Sequence, residues 1–131
     1  MREHEDYLVK IRPQIQTIEE IPVSKEDEIF QNSCLRPIIK YQHDLIIEVF
    51  QKEKNLLTLL KRNNNSKEQT YLVILQYVKT NKALSFLIFG LIYGLMTSKE
   101  SQYYLENHKE LNKRITSMVS ERLNNQFWES L

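Results

Sequence analysis

The sequence predicts an all-α protein, a compact helical bundle of five to seven helices around a central apolar helix at about residues 82–96. Three observations carry that expectation. Glycine and proline number only two and three in 131 residues, too few for the turns of a sandwich or barrel. Apolar residues make up 41% of the chain, enough for a real core. Strict alternation of apolar and polar residues is absent over any run longer than four or five, whereas apolar residues recur at helical spacing throughout. The length suits a single domain spanning 1–131, with 1–23 as a peripheral arm.

The elements follow in order. Residues 4–19 carry Leu8, Ile11, Ile15 and Ile18 at helical spacing, with Pro13 expected to break or kink the helix. Residues 21–23 form an extended connector around Pro22. Ser24 precedes an acidic first turn and opens a short helix over 25–34. Pro37, after Leu35 and Arg36, suits the first turn of the longest helix, 37–60. In that helix Ile38, Tyr41, Leu45, Val49, Leu56 and Leu60 lie along one stripe, which Ile39, Ile46, Phe50 and Leu57 widen. Residues 61–65 are the nearest approach to a linker and are too short to separate domains. Helices are expected at 67–80, with Tyr71, Ile74, Leu75 and Val78 inward, then at 82–96, 98–106 and 108–127. The last turns Leu111, Ile115, Met118, Val119 and Leu123 to one face. Ser66 with Gln69, Thr97 with Glu100 and, more loosely, Asn107 with Glu110 have the spacing of reciprocal caps at three helix starts.

Gly90 and Gly94 are the only glycines, and their spacing puts them on one helix face. A glycine inside a helix costs roughly 1 kcal/mol against alanine. The expected benefit is close helix packing: a crossing by another helix of the same chain, or alternatively a homodimer seam or a slot for a small apolar ligand. The stretch 83–96 is apolar but for Ser85 and the two glycines. Its fourteen residues fall short of the ~20 that a bilayer span requires, so no membrane span is expected. The bundle should instead enclose it on nearly all sides.

Eighteen basic and seventeen acidic side chains leave a net charge of +1, which points to no polyionic partner. The balance is uneven: residues 1–33 hold four basic and eight acidic side chains, residues 34–131 fourteen and nine. An acidic N-terminal part could lie against a basic body, or both could be ordinary solvated faces. The charged start is unlike a signal peptide, and the lone Cys34 permits no intrachain disulfide. A cytoplasmic location is expected.

Candidate chemistry concentrates on the 37–60 helix. Lys40, Asp44 and Glu48 are mutually four apart, with Arg36 one turn earlier. Arg36 and Lys40 could bind a carboxylate; Arg36, His43, Asp44 and Glu48 are the candidate catalytic residues, with His43 or Glu48 moving a proton. The same residues could equally be a solvated face. His43 and Asp44 are neighbours in sequence and so point about 100° apart on a helix; no dyad is implied. No metal and no cofactor are expected: the histidines are scattered, no Glu-x-x-His spacing occurs, and Cys34 lacks zinc-site partners. Both glycines lie in an apolar helix, so no phosphate-cradling loop exists. Lys109, Lys113, Arg114 and Arg122, with Tyr103 and Tyr104 upstream, have the ingredients of a nucleic-acid surface, but Glu106, Glu110 and Glu121 dilute it. Phe127 and Trp128 should plug the bundle or dock on a partner.

The stretch 31–45, Gln-Asn-Ser-Cys-Leu-Arg-Pro-Ile-Ile-Lys-Tyr-Gln-His-Asp-Leu, is distinctive as a string. So are Gly90-Leu91-Ile92-Tyr93-Gly94, Tyr104-Leu105-Glu106-Asn107 and Leu111-Asn112-Lys113-Arg114-Ile115. Together, over about residues 24–126, they resemble a family of small, all-helical, uncharacterised bacterial proteins, some of which carry a glyoxalase label. A glyoxalase fold rests on repeated βαβββ units with metal ligands on strands, and this chain has neither. The resemblance therefore implies a helical fold and no activity. The expected function is a non-catalytic protein-interaction or regulatory protein, a homodimer or bound to another protein. The alternative is a small enzyme or ligand-binding protein using a cleft around Arg36, Lys40, His43, Asp44 and Glu48.

Overall fold

The computed structural model describes residues 5–12, 26–62 and 66–131. The Pro13 kink, Ile15, Ile18, the 21–23 connector, the Ser24 cap and the 63–65 linker lie outside the described residues. Among the described residues the protein is all-helical, with no strand. The helices are α1 (Glu5–Lys10), α2 (Glu26–Phe30), α3 (Arg36–Tyr41), α4 (His43–Gln51), α5 (Lys54–Arg62), α6 (Lys67–Thr80), α7 (Lys82–Tyr93), α8 (Ser98–Glu106) and α9 (His108–Glu129). A π-helical turn, Gln31–Leu35, joins α2 to α3.

The expected 37–60 helix is three helices, bent at Gln42 and again around Lys52 and Glu53. The buried face changes accordingly. Ile38, Ile39, Ile46, Phe50, Leu56 and Leu60 are buried, whereas Tyr41 and Leu45 from the expected stripe are exposed. The π turn has a local cause. Pro37 has no N–H for the carbonyl four residues back, and its ring would crowd that carbonyl. A wider turn relieves both, and the Arg36 N–H bonds the Gln31 carbonyl instead.

Two of the three expected caps form. The Ser66 hydroxyl accepts from the Gln69 N–H at 3.2 Å while the Gln69 side chain accepts from the Ser66 N–H at 3.0 Å. Thr97 and Glu100 do the same at the start of α8. At α9 the Asn107 side chain makes no cap; it turns back to the Tyr103 carbonyl. Asn81 supplies a cap that the box spacing does not reveal, accepting from the Leu84 N–H at 3.1 Å. It sits at the 92° bend between α6 and α7.

The centre of the bundle is α9, which packs against α4, α6, α7, α8 and the π turn. Its inward row of Leu111, Ile115, Val119 and Leu123 meets Ile74 and Val78 of α6, the apolar face of α3 and α4, and Leu84, Ile88 and Ile92 of α7 in one core. A polar lock closes the far end. Asn124 Nδ2 donates to the Lys67 carbonyl and Trp128 Nε1 to the Thr70 hydroxyl, both across α6 and α9. The Thr70 hydroxyl in turn lies 2.6 Å from Asn124 Oδ1.

The described residues do not enclose the apolar 82–96 segment on all sides. Leu84, Ser85, Ile88 and Ile92 of α7 are buried, but Phe86 is 69% exposed and Leu87 50%. No described residue supplies the packing expected of Gly90 and Gly94. A Cβ added at Gly90 would meet nothing within 4 Å, and one at Gly94 would meet only the Gly90 carbonyl oxygen, at 3.2 Å. Gly94 closes α7 in an ordinary right-handed conformation, so no positive φ requires glycine there. Among the described residues Gly90 therefore gains no packing contact to offset the helical cost of glycine. Gly90→Ala is expected to stabilise the monomer by about 0.5–1 kcal/mol in chemical denaturation.

Candidate functional site

The structure divides the polar cluster of the α3–α4 region. Arg36 and His43, seven residues apart, share one face with Ile39 and border a cleft of about 410 Å³. Lys40, Asp44 and Glu48 are exposed outside that lining, and Lys40 and Asp44 form no ion pair. The opposite wall is α9, through Met118, Glu121 and Arg122. Arg122 approaches His43, Nη1 to Nδ1, at 3.2 Å. The π turn matters to this geometry. Its i→i+5 register stacks Arg36 over Gln31, and both reach the same cleft. Gln31 Oε1 accepts from Arg114 Nη1 at 2.9 Å, tying the turn to α9.

Arg122 was not legible as a member of this group. It lies 79 residues from His43, and its own helix shows only a diluted basic face. Gln42 likewise has a role that local spacing does not show. Its Nε2 donates to the Leu91 carbonyl at 2.9 Å, one of the acceptors that the end of α7 leaves without a helical donor.

A second cluster lies at the α7–α8 joint. Arg12 grips Glu100 with two nitrogens at 2.6 and 2.7 Å and gives a third bond, 2.8 Å, to the Leu95 carbonyl. Burial alone would raise the Glu100 carboxyl, but the Arg12 bonds and the Thr97 N–H more than offset it, holding it below its usual 4.5. The buried Cys34 thiol lies beside this pair. Burial first, then the Glu100 charge, pushes the thiol well above its usual range, with Arg12 opposing. Such a thiol stays protonated and is a packing group, not a nucleophile.

The aromatic groups near the basic face of α9 are also committed. Tyr103 stacks on Phe30 with ring centres 4.8 Å apart and donates to Asp27. Tyr104 is buried and its hydroxyl donates to Asn112. Phe30 covers one face of Tyr103, Tyr104 is buried, and Arg114 is shared between Gln31 and Glu110. No group of three or more His, Cys, Asp or Glu side chains suited to a metal occurs among the described residues.

The outer face of α7 is an exposed apolar surface, of which Tyr93 alone has described partners, its hydroxyl bonding Ser101 and its ring packing on Tyr104. Ala83, Phe86, Leu87, Gly90, Tyr93 and Gly94 are all exposed and recur at helical spacing as one stripe without a charge. No single helix among the described residues is long and apolar enough to cross a membrane. In comparison with known proteins, the chain matches no family model, no curated protein and no solved structure.

Two predictions follow from the Arg12–Glu100–Cys34 cluster. Glu100 has a lower folded than unfolded pKa, so its contribution is complete above pH 4.5 and is lost as pH falls through the folded value. Glu100→Gln should cost about 3 kcal/mol at neutral pH and flatten the acid limb of a stability–pH curve. Cys34 should resist a thiol-reactive disulfide reagent in the native protein and react at the rate of global unfolding in a stopped-flow assay.

Proposed function

We propose that the protein is a non-catalytic cytoplasmic interaction protein that associates with a second copy of itself through the outer stripe of α7. The observation that carries this reading is the exposure of Phe86 and Leu87 in one stripe with Gly90 and Gly94, which no described residue covers. Charge-free and flat at the glycines, the stripe lacks the salt-bridging groups that would select a charged partner.

Its own pattern is complementary to a copy of itself. When two α7 helices lie antiparallel about a two-fold axis near residue 88, Phe86 of one falls opposite Gly90 of the other, and Ala83 opposite Tyr93. Large meets small at these two pairs, and a residue without a side chain lets the backbones approach. The same register puts Lys82, at the positive end of one helix dipole, beside the carbonyl end of its neighbour, a favourable pairing. In such a dimer α7 becomes the central helix, enclosed by its own bundle on one face and by the partner on the other. This is the arrangement that its hydropathy suggests.

The stripe exposes on the order of 300 Å² per copy, given that a buried aromatic covers about 150–250 Å². Stable dimers bury about 800 Å² per partner, so the association is weak and concentration-dependent. Sedimentation velocity on the full chain should show reversible self-association. Phe86→Glu should weaken it by at least about tenfold with an unchanged helical spectrum. A wild-type monomer at every concentration overturns the reading.

A further inference from the structure

The cleft between α3–α4 and α9 is built from elements other than α7, and its chemistry is different. We propose that this cleft binds a small oxyanion, a carboxylate or a phosphate, seated between the guanidinium groups of Arg36 and Arg122 with the ring N–H of His43 as a further donor.

Four observations converge on it. First, neither guanidinium is held in an ion pair with a described residue. Among the described residues, the ion pairs are Arg12–Glu100 and Arg114–Glu110. Arg36 gives one bond, Nε to Asn32 Oδ1 at 3.3 Å, and Arg122 only its contact with His43. Most of their ten N–H donors (five on each group) are unspent. Second, the two charges feel each other. Arg122 holds its proton less firmly than usual because of burial first and the positive charge of Arg36 second, with Glu121 opposing only in part. An anion between them relieves that repulsion and accepts from both forks.

Third, the tautomer of His43 follows from its partner. A guanidinium cannot accept a hydrogen bond, so at 3.2 Å it is Arg122 that donates to His43 Nδ1. The ring hydrogen is then on Nε2, which is left as a donor. Fourth, the cleft's size and sign restrict the ligand. Its 410 Å³ leaves ample room for a small molecule. Glu121 and Glu129 also line it, so the walls carry two charges of each sign. A polyanion such as nucleic acid would meet those carboxylates with many charges, whereas one compact oxyanion brings few charges for them to oppose. No reacting group is required, and the assignment is to binding alone.

The test is a titration of the full chain, followed by nitrogen-resolved NMR of the arginine and histidine side chains. Inorganic phosphate is added first and then succinate in a separate sample, each against sodium chloride at matched ionic strength. Saturable shifts at Arg36, His43 and Arg122 are expected with at least one of the two probes, and none with chloride. Saturation by phosphate alone assigns a phosphate ligand, and saturation by succinate alone a carboxylate. Arg122→Gln should weaken binding by at least about tenfold, Arg122→Lys by less because the ammonium keeps the charge but loses the fork, and Lys40→Gln not at all. Shifts that only track ionic strength, or that spread over the exposed lysines without saturating, overturn the proposal. So does undiminished binding in a folded Arg122→Gln protein. Should that variant fail to fold, the localisation and saturation of the wild-type shifts decide the matter by themselves.

Discussion

The burial of one continuous face of α9 is the constraint on which the other elements depend. Leu111, Ile115, Val119 and Leu123 repeat every four residues and are all buried, with Thr116, Ser120 and Asn124 closing the flank. At 22 residues it is the longest uninterrupted helix, about 33 Å of rigid surface. The other described helices run to only five to fourteen residues, lengths at which isolated helices are marginal in water. Each short helix is therefore stable only while its apolar side is held against α9 or against a neighbour that is. The Thr70–Asn124–Trp128 lock has its importance here, because it pins the start of α6 to the end of α9 through polar groups that have few alternative partners.

The joints between the short helices are held by side chains far away in sequence. Glu53, at the α4–α5 joint, accepts from the Tyr77 hydroxyl at 2.8 Å and from Asn81 Nδ2 at 3.2 Å. One carboxylate thus ties that joint to the α6–α7 bend. Arg12 does the same for the α7–α8 joint through Leu95 and Glu100. This explains which parts of the fold were legible in the sequence. The caps of α6 and α8 are local, three residues from end to end, and their spacing alone gives them away. The breaks at Gln42 and Lys52 are not local. Nothing within a few residues of Gln42 is a helix breaker, and the acceptor its side chain reaches is 49 residues away. A continuous helix is what local propensity favours there, and tertiary hydrogen bonding overrides it.

The same division applies to the surfaces. Arg36 and His43 lie seven apart, so their common face could be read, but spacing alone placed Lys40, Asp44 and Glu48 with them. Only the position of α9 separates the two groups. Arg122 completes the cleft from the other end of the chain, where it resembles any basic residue on a polar helix face. The glycines of α7 were legible as an anomaly and not as a direction. Periodicity tells that a helix has small and large apolar residues on one face; it does not tell whether that face meets its own chain. Phe86 and Leu87 have the hydropathy of core residues, yet α7 lies at the edge of the bundle, and its other face, through Leu84, Ile88 and Ile92, is the one that α9 claims.

Gln42 joins these threads physically. Its backbone, at φ −88° and ψ 7°, is where α3 ends and α4 begins, so it sets the angle between the turn bearing Arg36 and the turn bearing His43. Its side chain meanwhile satisfies the Leu91 carbonyl. The remaining end carbonyls of α7 are taken by local backbone donors: Gly90 by Gly94, Ile92 by Leu95 and Tyr93 by Met96. Leu91 alone depends on a distant residue. The closing turn of the exposed helix and the opening of the arginine-lined cleft are consequently built on the same amide, and neither can shift far without breaking a hydrogen bond that has no local substitute.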